Sequence, residues 1–511
     1  MAMYHSTRST EPELSSKQAI RTGIAPDGGL YVCDELGQKT VDLADLANKS
    51  YDDLAREVLG TLLPDYSASE IAACVGDAYG STFASDEVTP LVELQGELDR
   101  KREGNGEEAV PTFVLELWHG PTSAFKDVAL QMLPRLMART EDESGRDGSN
   151  EKIMIVTATS GDTGKAALAG FADAPGCGIT VFYPEGKVSR VQELQMSTQE
   201  GSNVHVCGIR GNFDDAQSAV KRIFTDHGLA DRLLKQGVRL SSANSINVGR
   251  LVPQVVYYFA AYAQLLRSDR IKPGDAVEFC VPTGNFGDIL AGYYAKRMGL
   301  PVAKLIVASD KNNVLYDFLT TGTYNRDRPF FTTTSPSMDI LVSSNLERML
   351  YYLSNGDCEL VAELMEQLGQ GSFDVPAELL AGIQQVFGCG WADEDQVARA
   401  IATCWNLNGY LIDPHTACGY HVLDEVGPTP GAKARVLLST ANPYKFPRAV
   451  AQALGLDCPK DDFACMDVLV EATNTTAPEQ LASLQGKPVL HTDVVDVDGM
   501  SAYVETAAQT L

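Results

Sequence analysis

Lys152-Ile153-Met154-Ile155-Val156-Thr157-Ala158-Thr159-Ser160-Gly161-Asp162-Thr163-Gly164-Lys165-Ala166-Ala167-Leu168 is the stretch that decides the fold. The β-branched run Ile153–Thr157 predicts a strand, Thr157–Gly164 a glycine- and hydroxyl-rich loop, and the segment from Lys165 to Phe171 the start of a helix. Outward from this unit the alternation continues. Strand-like runs stand at Ile179–Tyr183, Val204–Val206, Val238–Leu240, Ala276–Val281, Val302–Ser309 and Arg435–Ser439, with helical patterns between them. Such alternation predicts parallel sheets with helices on both faces, and this many strands predicts two α/β units. The first hundred residues read as mostly helical, with Ser50 and Ser67 placed to cap two helices. Gly96–Gly106 and Thr140–Asn150 are polar stretches expected to be solvated loops.

Composition narrows the function classes. The 511 residues are 44% hydrophobic and 21% charged, a soluble globular balance with room for more than one domain. A net charge of -27 offers no basic face to displace counterions, which argues against a nucleic-acid partner. It also requires that an anionic substrate find a locally positive pocket. The 11 cysteines show no metal-ligand spacing and no disulfide framework, so no metal site is expected and reduced thiols are. No apolar run reaches the ~20 residues that span a bilayer, and Met1–Arg8 lacks the build of a signal peptide. A cytoplasmic protein with no membrane association and no obligate protein partner is expected.

Five segments carry chemistry. In Trp118-His119-Gly120-Pro121-Thr122-Ser123-Ala124-Phe125-Lys126-Asp127, Lys126 stands at a helix start beside the apolar Phe125. A partly desolvated lysine there has a depressed pKa and can act as a Schiff-base nucleophile; the same residue also suits a surface pair with Asp127. The strand–loop–helix Phe279–Leu290, with Gly284-Asn285-Phe286-Gly287 at its turn, can cradle a phosphate with backbone amides and a helix dipole, or be only a tight turn. The Thr157–Gly164 loop, with the hydroxyls of Thr159, Ser160 and Thr163, suits a second anion. In Ser241–Arg250 the guanidinium of Arg250 suits a substrate phosphate or a structural ion pair. Leu437–Pro443 is a strand ending in the hydroxyls of Ser439 and Thr440, either of which can donate to an aromatic ring nitrogen or cap the strand end. His119 and His415 read as structural hydrogen-bonders.

With these residues in view the chain resembles the threonine synthase family, pyridoxal-phosphate enzymes of fold type II, related in fold to tryptophan synthase β. The resemblance runs almost end to end, through Tyr4–Arg8, Gly23–Tyr31, His119–Thr122, Phe125–Asp127, Ser160–Gly164, Gly186–Ser189 with Gln192, Asn244–Asn247, Gly284–Gly287 and Ser439–Ala441. Asp162 matches the longer members of the family, where shorter ones carry Asn. The resemblance implies an N-terminal mostly helical domain over 1–105, a small α/β domain over 151–250, and a large pyridoxal-phosphate-binding α/β domain from 106–150 with 251–511. It implies that Lys126 holds pyridoxal 5'-phosphate covalently and that Gly284, Asn285, Phe286 and Gly287 bind its phosphate. It further implies that Thr440 bonds the pyridine nitrogen and that Asp162 lies near the 3′ oxygen. Thr159, Ser160, Thr163, Asn244 and Arg250 would take the substrate. The implied reaction is a lyase step of threonine biosynthesis: O-phospho-L-homoserine and water give L-threonine and phosphate by γ-elimination and β-addition of water.

Three other readings compete. A dehydratase or β-replacement synthase of the same fold lacks the N-terminal Tyr-x-Ser-Thr-Arg segment and the Gly-Pro-Thr before Phe-Lys-Asp. A non-catalytic phosphate binder has no need of Lys126, Thr440 and the phosphate loop together. A nucleotide-binding α/β enzyme lacks its fingerprints here.

Overall fold

The computed structural model describes residues 3–94, 110–140, 151–159 and 161–511. The polar stretch 96–106, most of 140–150 and Ser160 lie outside the described residues.

Two parallel-rich sheets form the frame. The larger has six strands in the order Phe387–Trp391, Val302–Ser309, Ala276–Pro282, Ala432–Ser439, Thr112–Glu116 and Leu91–Glu93. The first five run parallel and Leu91–Glu93 closes the edge antiparallel. The smaller has five parallel strands: Asp493–Asp496, Val204–Arg210, Cys177–Pro184, Lys152–Ala158 and Val238–Ser241. Cys177–Pro184 is buried at every position, as a central parallel strand covered on both faces must be.

The helix Lys126–Met137 ties the two sheets together. It is buried on nearly all sides, and it packs against the helices Val248–Arg267 and Asp162–Phe171. The last contact is very close: a side chain at Gly170 would bring Cβ within 2.0 Å of the Leu130 carbonyl oxygen. Val248–Arg267 is likewise apolar around its circumference and forms part of the main core. Among the described residues no helix is long and apolar enough to cross a membrane.

The N-terminal region is mostly helical, as expected, and one other expectation differs from the structure. The N-terminal region carries the helices Tyr51–Leu62 and Ala68–Tyr79, each closed by a capping box on Ser50 or Ser67. Beside these helices lies a small antiparallel sheet, Ser9–Leu14, Tyr4–Ser6 and Tyr31–Cys33. These strands are too short for period-2 alternation to show. The C-terminal tail, assigned with 251–511 to the large domain, instead adds the strand Asp493–Asp496 to the small sheet, pairing with Val204–Arg210. The helix Met500–Ala508 that follows buries Met500 and Val504 against Phe182, Cys207 and Ile209. Burial of that apolar face is what draws the tail across.

Candidate active site

The loops that leave the carboxyl ends of Ala276–Pro282, Lys152–Ala158 and Ala432–Ser439 supply the chemistry-bearing residues, as the geometry of open parallel sheets favours. Lys126 is fixed against the last of these strands. Leu117 N donates to Ser439 O at 3.0 Å, Phe125 N to Thr440 O at 2.8 Å, and Asn442 N to Ser123 O at 3.1 Å. Backbone hydrogen bonds thus hold the Lys126 turn beside Thr440, and Trp118 Nε1 adds a side-chain bond to Ser439 Oγ at 3.0 Å.

Asp127 does not pair with Lys126. Its carboxylate accepts from Thr122 N at 2.8 Å and Thr122 Oγ1 at 2.6 Å, closing the turn, and a side chain at Gly120 would collide with it. Lys126 Nζ instead donates to Ser337 Oγ at 3.3 Å. Burial lowers the amine to about 8; the nearby Asp162 opposes this, while Arg250 and Lys445 reinforce it. At about 8 the amine is still mostly protonated at pH 7, but its neutral, nucleophilic form is far more populated than that of an ordinary lysine.

Asp162 is the hub of the site. Its helix spans Asp162–Phe171, beginning inside the expected loop, so the carboxylate lies in the first turn at the positive end of the helix dipole. Gly161, at φ +143°, makes the turn into it. Lys445 Nζ lies 2.7 Å from Asp162 Oδ1, Gln192 Nε2 donates to the same oxygen at 3.2 Å, and Ser337 Oγ donates to Oδ2 at 2.9 Å. Burial works against ionisation here. The charges of Lys445 and Lys126 outweigh it and hold the carboxyl well below the usual carboxylate range.

The Gly284–Gly287 loop has the build of an anion cradle. Phe286 adopts the left-handed conformation at φ +61°, and the helix Gly287–Arg297 starts directly after it. The amides of Gly284, Asn285, Phe286 and Gly287 find no acceptor among the described residues. Meanwhile the carbonyls of Gly284 and Asn285 are tied back by Ser343 Oγ at 2.7 Å and Asn345 Nδ2 at 3.1 Å. Four free donors on a rigid turn at a helix N-terminus suit a phosphate.

The remaining expected residues divide into committed and free groups. Thr440 is buried, and its hydroxyl makes no hydrogen bond among the described residues. Thr159 Oγ1 accepts from Gly161 N and Gly164 N, both at 2.9 Å, so it shapes the loop. Thr163 is partly exposed beside it. Asn244 Oδ1 accepts from Thr157 Oγ1 at 2.9 Å, joining its segment to the end of the Lys152–Ala158 strand. Arg250 is buried and meets no carboxylate among the described residues. Its Nη1 donates to Ala243 O at 2.5 Å and its Nε has no partner. Burial lowers it to about 10, still protonated at neutral pH.

Two residues at the centre carry no signal in the sequence. Lys445 is wholly buried, held by Asp162 and by Thr122 O at 3.0 Å, and stands in a short turn just after Thr440. Ser337 comes from the long loop between the short strand Thr323–Asn325 and the helix Leu346–Leu353, a loop with no glycine to mark it. His415 holds Ser337 in place, while His119 bonds Glu116 Oε2 at 2.7 Å, outside this network.

Comparison with known proteins fits this geometry. The family model described as pyridoxal-phosphate dependent enzyme matches residues 85–440. The models for the threonine synthase N terminus and C-terminal regions match 3–79 and 416–504. The chain is 38% identical to a threonine synthase of Pseudomonas aeruginosa, over 94% of this chain and 97% of that one. It is 36% identical to human threonine synthase-like 1, over 98% of this chain and 67% of that one. The crystal structure of a pyridoxal-phosphate-bound threonine synthase from Brucella melitensis superposes with a TM-score of 0.84 at 39% identity, covering 99% of this chain and 100% of that one. A chain with this fold, this lysine turn and this end-to-end likeness belongs to the threonine synthase family of fold type II lyases in threonine biosynthesis, and its cofactor is pyridoxal phosphate.

Proposed function

We propose that the chain converts O-phospho-L-homoserine and water to L-threonine and phosphate. The observation that carries this reading is Arg250, a buried guanidinium with no carboxylate partner among the described residues, close enough to Lys126 to act on its protonation. A buried unpaired charge is costly, and a ligand phosphate relieves that cost. A dehydratase acting on an unphosphorylated amino acid needs no such group in addition to the cofactor's own phosphate cradle.

The residues present fit the cofactor. The free amides of Gly284–Gly287 would hold its phosphate, the unengaged Thr440 hydroxyl its ring nitrogen, and Lys126 its aldehyde carbon, with Asp162 near the 3′ oxygen. When bound, the cofactor supplies a conjugated ring that accepts the electron pair left by proton loss at the substrate's α-carbon. Lys126, released by the substrate's amino group, takes that proton; its lowered basicity keeps a neutral amine available. Arg250 and Asn244, with Thr159 and Thr163 and with Ser160 as the family resemblance assigns it, would orient the γ-phosphate for departure. A cytoplasmic setting agrees with all eleven cysteines being free thiols.

The test is to supply purified holoenzyme with O-phospho-L-homoserine and measure products. Equal release of phosphate and L-threonine is expected, and Lys126→Ala should abolish it. Phosphate with a 2-oxo acid in place of threonine would make the enzyme an eliminase, and no phosphate release at all would overturn the substrate.

A further inference from the structure

Ser337 occupies an unusual position for a loop hydroxyl. It lies between the two oppositely charged groups of the site, accepting from Lys126 Nζ at 3.3 Å and donating to Asp162 Oδ2 at 2.9 Å. Three independent contacts set its backbone. Its own N–H donates to His415 Nε2 at 3.1 Å. Met338 N donates to Ser335 O at 2.9 Å, tightening the turn around it. The Ser337 carbonyl oxygen lies 2.9 Å from where a Cβ would stand on Gly284, so the absence of that side chain lets the loop approach the anion cradle. His415 is itself oriented: Nδ1 bonds Asp413 Oδ1 at 2.7 Å, which leaves Nε2 as the acceptor toward Ser337. Both His415 and Asp413 are buried, so this support is shielded from solvent.

We infer that Ser337 is a positioning residue for the Lys126 amine, presented by the Asp413–His415 pair. A hydroxyl has one proton and two lone pairs. Because the Ser337 proton is committed to Asp162, only its lone pairs face Lys126. The amine must therefore give an N–H to Ser337, and its own nitrogen lone pair is turned away, free for bond formation or for a substrate proton. Without Ser337 that lone pair has no fixed direction, and the protonated amine loses an acceptor that favours it. The inference rests on the reading that Lys126 is the cofactor-holding residue.

The experiment uses the full-length chain as wild type and as Ser337→Ala. Lys126 labelling by trinitrobenzenesulfonate is followed by peptide mass spectrometry across pH, in cofactor-free and cofactor-loaded protein, together with kcat and KM. In Ser337→Ala the labelling midpoint should move to lower pH, and kcat should fall about ten- to a hundredfold with little change in KM. An unmoved midpoint, with or without a loss of kcat, overturns the inference. Labelling of wild-type Lys126 that is indifferent to pyridoxal phosphate instead overturns the underlying assignment of that lysine. Should the alanine variant fail to fold, Ser337→Cys preserves the volume with a poor acceptor and carries the same test.

Discussion

Lys445 Nζ and Asp162 Oδ1 lie 2.7 Å apart with both side chains buried, so the site contains a complete ion pair beside the reactive amine. Breaking such a pair from one side strands a charge in the interior, which typically costs about 3–5 kcal/mol. Lys445→Met should therefore destabilise the fold by about that amount at pH 7, read by chemical denaturation. The pH dependence follows from the lowered Asp162 carboxyl. A depressed carboxyl stabilises the fold above the unfolded-chain value of about 3.9 and loses that contribution as pH falls toward the folded value. The gap between wild type and Lys445→Met should be wide at neutral pH and narrow below about pH 4. A gap constant across that range would mean that the variant acts through packing alone.

Lys126 should act against stability at pH 7, where Asp162 acts for it. Burial lowers its amine to about 8, so between there and the ordinary lysine value of about 10.4 the unfolded chain binds more protons than the folded one. Stability thus rises with pH through that window, and the lysine is a burden below it. In cofactor-free protein, Lys126→Met should raise stability at pH 7 by about 1–3 kcal/mol while abolishing turnover, and the gain should vanish near pH 10.5. Equal stability of the two proteins at pH 7 would show that the amine is not desolvated.

The parts of the site legible in the sequence are those that follow a strand directly. Asp162, Gly284–Gly287 and Thr440 all lie just beyond β-branched runs, where parallel-sheet geometry gathers functional groups. Lys126 was legible as a candidate because Gly120 and Pro121 mark its turn and an apolar helix follows. Ser337 and Lys445 were not, because neither is placed by local pattern. Ser337 is set by His415, far along the chain, and Lys445 by a turn whose burial depends on both sheets meeting. The strand Asp493–Asp496 is hidden for a related reason: two valines between aspartates make too short a pattern, and they pair where Val204–Arg210 offers an edge.

Gly284 offers a test of the link between the anion cradle and the Ser337 loop. A methyl group at this position would approach the Ser337 carbonyl oxygen to 2.9 Å and the Met338 Cα to 3.2 Å, both backbone atoms that cannot rotate aside. Gly284→Ala should push the loop outward and weaken pyridoxal-phosphate retention by about tenfold, measured by dialysis and absorbance, at a stability cost of about 1–3 kcal/mol. Retention equal to wild type would show that the loop yields freely.

Arg250 provides the sharpest separation between cofactor and substrate roles. Its guanidinium is buried, donates to Ala243 O and leaves Nε without a partner, and it makes no ion pair among the described residues. Arg250→Met keeps much of the apolar volume and removes the charge. Loss of a charge-assisted hydrogen-bond set to a phosphate is worth about 2–3 kcal/mol, so kcat/KM for O-phospho-L-homoserine should fall by about a hundredfold. Pyridoxal-phosphate binding should be unchanged if, as proposed, the amides of Gly284–Gly287 hold the cofactor's phosphate. Competitive inhibition by inorganic phosphate should weaken in parallel with kcat/KM. A variant that loses the cofactor and keeps its phosphate inhibition would reverse the assignment of the two anion sites.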